Sequence, residues 1–98
     1  MTELGETYRR SDNFVFRRIE GETILVPIRA GAGELDSIYI LNEVSDLIWQ
    51  SLDGSTTLTA IKNLIATEYD VADSQAEADL LEFMRDMQAI DAVKPVER

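Results

Sequence analysis

The hydrophobic period of this chain changes once, at Asn42, and that switch constrains its fold more than any other feature. Before it, Phe14-Val15-Phe16-Arg17-Arg18-Ile19 and Thr23-Ile24-Leu25-Val26-Pro27-Ile28 are rich in β-branched and aromatic residues and read as strands. Glu20-Gly21-Glu22 between them reads as a hairpin turn, with Gly21 left-handed. Pro27 cannot donate to a ladder, so it belongs at a strand end or on an unpaired side. The segment 29–34 carries two glycines and is a flexible connection, after which Ser37–Leu41 forms a third strand.

After Asn42 the apolar residues recur at three and four. Asn42 is a suitable N-cap, and Val44, Leu47, Ile48 and Leu52 make one stripe that ends at Asp53-Gly54. Trp49 lies beside the stripe and is expected in the core. Thr57 can cap a second helix that buries Leu58, Ile61, Leu64 and Ile65, and the capping-box pattern Ser74-Gln75-Ala76-Glu77 opens a third. On the third helix Ala76, Leu80, Phe83, Met84 and Met87 share a face, with Leu81 at its margin. Strands segregated from helices predict an α+β domain: a three-stranded antiparallel sheet followed by three helices that cover one of its faces. Residues 1–12 read as a loose N-terminal arm, 13–93 as the single domain and 94–98 as a tail. In a meander, Ser37–Leu41 is an edge strand without Lys or Pro, and its unpaired backbone must be covered or used.

Composition removes most chemistry. The chain has no cysteine and no histidine, so disulfides, thiolate nucleophiles, the usual zinc ligands and the commonest general base are absent. Acid pairs such as Glu82 and Asp86 have no nucleophile or glycine-rich loop beside them, and no cofactor or metal is expected. No stretch approaches the roughly 20 apolar residues that span a bilayer, and the N-terminus is unlike a secretory signal, so no membrane role and a cytoplasmic location are expected. The net charge is −10, and everything from Glu34 onward holds fourteen acids against Lys62, Arg85, Lys94 and Arg98. That half repels phosphate backbones, so nucleic acid is not an expected partner.

The run from Tyr39 to Gly54, with Leu41-Asn42, Ile48-Trp49 and a closing Asp53-Gly54, resembles the central signature of the PqqD family. Thr57-Leu58 with Ile61, and Ala78-Asp79-Leu80 with Phe83 and Met87, are similar to its second and third helices, and the likeness runs from about Phe14 to Val93. Where the family usually ends its third helix on Gly, this chain has Ile90-Asp91-Ala92-Val93. The resemblance implies a winged helix-turn-helix-like domain that binds the leader of a ribosomally made precursor peptide and presents it to a modifying enzyme, commonly a radical SAM protein. The product would be pyrroloquinoline quinone or another modified peptide. It implies that the leader adds as a strand beside Ser37, Ile38, Tyr39, Ile40 and Leu41 and rests on a helical wall containing Glu77, Leu81, Met84, Arg85 and Gln88. Such a protein is an adaptor, not an enzyme, as a monomer or homodimer. The alternatives are an acidic protein-interaction module and a winged-helix regulator.

Overall fold

A computed structural model describes residues 4–28 and 38–96. Its elements are β1 (Thr7–Arg10), β2 (Phe14–Ile19), β3 (Glu22–Pro27), β4 (Tyr39–Leu41), α1 (Glu43–Ser51), β5 (Asp53–Thr57), α2 (Leu58–Tyr69), α3 (Asp73–Ala89) and β6 (Val93–Pro95). The expected three-stranded antiparallel sheet is present in the order β2-β3-β4, and so are the three helices. The expected glycine-rich connection and Ser37 lie outside the described residues.

Local sequence explains the hairpin. Glu20 and Gly21 both have positive φ, 52° and 84°, which is the two-residue turn whose twist matches the flanking strands. That turn fixes the register at Ile19↔Glu22 and carries it to Phe14↔Pro27, so Thr23, Leu25 and Pro27 point into the core. Pro27 stands at the end of β3, where its missing donor costs nothing to the ladder.

A second antiparallel sheet, β5-β1-β6, was not legible in the sequence. Residues 7–10, expected in a loose arm, pair with Asp53–Thr57 on one side and Val93–Pro95 on the other, so part of the expected arm and the first residues of the expected tail are strands paired with each other. Tyr8 is consequently buried. Arg10 ties the two sheets together: its guanidinium lies 5.2 Å from the centre of the Phe16 ring and 6.0 Å from that of Trp49, and its Nη1 donates to the Trp49 carbonyl at 3.4 Å. The Phe16 and Trp49 rings meet edge to face at 5.8 Å.

The helices pack Ile48, Trp49, Leu52, Leu58, Ile61, Ile65, Leu80 and Met84 into one core with Tyr8 and Leu25. Leu64, expected on the buried face of α2, is exposed instead, because the buried stripe there is the narrower Leu58-Ile61-Ile65 line. Helix ends follow their capping chemistry. Asn42 Oδ1 accepts from Ser45 N at 2.8 Å, and Thr57 Oγ1 from Ala60 N at 3.2 Å. The first amides of α2 find further partners in the chain's beginning, Leu58 N donating to Glu6 O and Thr59 N to Leu4 O. Asp91 takes the left-handed conformation (φ 59°) that glycine would take at the end of α3. Ala92 N donates to Met87 O and Asp91 N to Gln88 O, which completes a Schellman motif, and Ser11 Oγ and Asn13 Nδ2 donate to the Asp91 carbonyl.

The capping box expected at Ser74 is not used. Helix α3 begins at Asp73, and its N-cap is Ala72, which offers no side-chain bond. Replacing Ala72 by Ser should therefore stabilise the domain by about 1 kcal/mol and raise its Tm by about 4–8 °C in a thermal melt. At the start of β5, Asp53 accepts from Ser55 N and Thr56 N at 2.9 Å and from Thr56 Oγ1 at 3.1 Å, and the two backbone bonds chiefly hold its carboxyl below the usual 3.8. The resulting stabilisation is complete above that unfolded value and is lost as pH falls through the lower folded one. Acid titrations should thus show a smaller loss of Tm below pH ~4 for Asp53→Asn than for the unsubstituted chain.

Candidate functional site

The candidate site is the free edge of β4. One side of this strand pairs with β3, in the register Thr23↔Leu41, Ile24↔Ile40 and Leu25↔Tyr39, and among the described residues no strand pairs with its other side. Alternate residues of an antiparallel strand direct their N–H and C=O away from the partner, so this edge offers an unused hydrogen-bonding ladder. The side chains sort by alternation. Leu41 is buried and Tyr39 half-buried, its ring edge to face with Phe14 at 6.0 Å, whereas Ile38 and Ile40 are 58% and 59% exposed on the outer face.

Helix α3 runs beside this edge and makes the other wall of an open groove. A depression of about 550 Å³ is lined by Ile38–Leu41 and Ser45 on one side and by Phe83, Asp86, Met87, Ala89 and Ile90 on the other. It continues past the end of β4 into a second one of about 210 Å³, lined by Asn42, Val44, Ser45, Asp79, Glu82, Phe83 and Asp86. Ser45, Phe83 and Asp86 are common to the two, so they form one channel that is apolar at the C-terminal end of α3 and acidic toward its middle.

The structure brings Ile38, Tyr39, Ile40 and Leu41 together at this groove but not the expected helical wall. Residues 79, 82, 83, 86, 87 and 90 fall on one stripe of α3 by its 3.6-residue period, and Glu77, Leu81, Met84, Arg85 and Gln88 fall on the opposite one. Met84 is fully buried in the core. Gln88 faces β1, where its Nε2 donates to the Tyr8 hydroxyl at 3.4 Å. Glu77 and Leu81 are half-buried and Arg85 is exposed. Both margins of an amphipathic stripe look alike in a sequence, and only the placement of β4 decides which borders the edge. The helical residues that line the groove carry one signal in the sequence: Asp79, Glu82 and Asp86 are in helical phase with Phe83, Met87 and Ile90, an acidic line laid along an apolar one.

No three carboxylates among the described residues converge closely enough to hold a metal ion. No helix among them is long and apolar enough to cross a membrane.

A strand edge and a helix that together leave an extended groove define a small α+β domain with one open sheet edge. The model of the family Coenzyme PQQ synthesis protein D (PqqD) matches residues 22–93, and the chain belongs to that family. Its fold is similar to that of the solved structure of TbiB1 in complex with the TbiA(beta) leader peptide, with a TM-score of 0.74 and 26% identity over 88% of this chain and 94% of that one. No protein of curated function matches it in sequence.

The burial pattern separates the core from the groove experimentally. Met84→Ala should cost about 2–5 kcal/mol in urea unfolding, whereas Arg85→Ala and Asp86→Ala should each stay within about 0.5 kcal/mol.

Proposed function

We propose that this protein is a peptide-binding adaptor that takes up the leader of a ribosomally synthesised precursor by strand addition at β4 and presents it to a modifying enzyme. The observation that carries this reading is the unpaired edge of β4 with the α3 groove beside it. Membership of the PqqD family and the likeness to TbiB1, solved with a leader peptide bound, support it. Strand addition draws affinity from main-chain hydrogen bonds, which any sequence supplies, and selectivity from the pockets that receive alternate side chains. Here those pockets are the spaces over Tyr39 and Leu41, against Phe83, Met87 and Ile90.

The role is one of binding and delivery, not of catalysis. The modifying enzyme is a separate protein, a radical SAM enzyme being the first candidate, and the pathway leads to pyrroloquinoline quinone or another modified peptide. The adaptor works in the cytoplasm, where precursor peptides are made. A winged-helix role in reading DNA is disfavoured by charge, because α3 carries Asp73, Glu77, Asp79, Glu82 and Asp86 against Arg85.

Titrating isotope-labelled protein with leader segments of short reading frames adjoining its gene should move the amide resonances of residues 38–41 and 83–90. Ile90→Glu should weaken that binding by tenfold or more, about 1.4 kcal/mol, while Arg85→Glu on the opposite face leaves it unchanged. If no leader moves residues 38–41, strand addition is wrong.

A further inference from the structure

The groove has two chemical halves, and their order along β4 restricts what can lie in it. Its far end, past Leu41, is walled by Asp79, Glu82 and Asp86 together with the Asn42 and Ser45 side of α1. Glu82 and Asp86 are exposed, and no Lys or Arg of the described residues lies within salt-bridge distance of any of the three acids. Asp79 is held in place by Gln75, whose Nε2 donates to it at 2.8 Å. Acids on an outer helix face would serve solubility alone, but these three border the channel that the open edge and the apolar wall already define.

Taking the bound segment as antiparallel to β4, like the other pairs of its sheet, we infer that it carries a lysine or arginine about four residues before an aliphatic or aromatic residue. This rests on the strand-addition reading above. The spacing follows from geometry. Glu82 and Ile90 are eight residues apart on α3, about 12 Å at 1.5 Å per residue, which an extended strand covers in about four residues. An even spacing also keeps both side chains on the face turned toward the helix. The direction follows from the sheet, whose pairs are all antiparallel and whose antiparallel ladders are slightly the more stable kind. An antiparallel strand begins at the Leu41 end of β4, so its first residues pass the acids and its later ones reach Met87 and Ile90. The cation then meets carboxylates that no Lys or Arg of the described residues pairs with, and the apolar residue covers apolar surface that would otherwise face water.

A randomised ten-residue segment, displayed on the surface of yeast and selected against the intact protein, reads the preference directly. Enriched segments that move the amide resonances of residues 38–41 and place Lys or Arg four residues before an apolar residue support the inference. Enriched segments that move the same resonances with no basic preference, or with the order reversed, overturn it and leave strand addition standing. Selection that yields no segment perturbing residues 38–41 overturns both. In the supported case, the double substitution Glu82→Lys with Asp86→Lys, at exposed positions, should weaken binding of the basic-first segments at least tenfold. The same variant should tighten binding of a counterpart with Glu in place of the cation, and raising the salt concentration should shrink both effects. A variant that binds both counterparts equally also overturns it.

Discussion

The carboxylate of Asp46 sets where the strand edge stands relative to the helices. It accepts from the Thr23 hydroxyl of β3, from Arg18 Nη1 of β2 at 2.8 Å and from Gln50 Nε2 at 3.3 Å within its own helix. Thr23 is fully buried and lies opposite Leu41 in the register, so this bond fastens the sheet to α1 at the point where β4 ends and the helix begins. The three bonds do not contribute equally. The Arg18 side chain is 52% exposed, and such a pair contributes little on its own. The Thr23 hydroxyl has no access to water, and leaving it unsatisfied would cost about 1–3 kcal/mol. Asp46 is therefore chiefly a positioning acceptor for β3, with the ion pair added at the rim.

Once β3 is fixed to α1, the remaining geometry follows. Asn42 caps α1 immediately after Leu41, so β4 cannot shift along β3 without uncapping the helix. The second sheet holds the other end. Arg10, Phe16 and Trp49 lock β1 to β2 and α1, while Ser11 and Asn13 hold the Asp91 carbonyl at the exit of α3. The two walls of the groove are thus fastened by different sets of contacts, β4 through Thr23 and Asp46, and α3 through its Schellman end and β6. A groove whose walls are held independently has its shape fixed before anything enters it, the condition under which binding costs least ordering.

Much of this was legible in the sequence, and what was not has a common cause. The hairpin, the positions of α1 and α2, and the third strand were marked by local chemistry: Gly21 in a turn, Asn42 and Thr57 at caps, and β-branched runs between them. Residues 7–10 and 93–95 form short strands whose partners are more than forty residues away, so they show no periodicity of their own. Asp91 hid the end of α3 by taking a glycine's conformation. The groove beside β4 takes in Ile38–Leu41 of the expected strand, whereas the residues expected as its helical wall lie on the other margin of α3. A helical stripe has two margins with the same composition, and the choice between them depends on tertiary packing.

An open edge that accepts a peptide must also refuse the edge of another copy, and the acids on α3 bear on that difference. If two β4 strands paired edge to edge about a twofold axis, both copies of α3 would lie on one face of the joined sheet. The pairing is then antiparallel, and the acidic end of each groove, with Asp79, Glu82 and Asp86, lies beside the apolar end of the other, with Met87 and Ile90, in a chain already at −10. Carboxylates laid against apolar surface lose hydration without gaining a partner, which opposes association, and the three-residue length of β4 gives few ladder bonds to offset that cost. A peptide with a cation at that position meets the reverse situation, because it neutralises the stripe as it completes the sheet. On the reading proposed above, the same three carboxylates would oppose self-pairing and suit a basic guest at an edge that leaves Ile38 and Ile40 exposed.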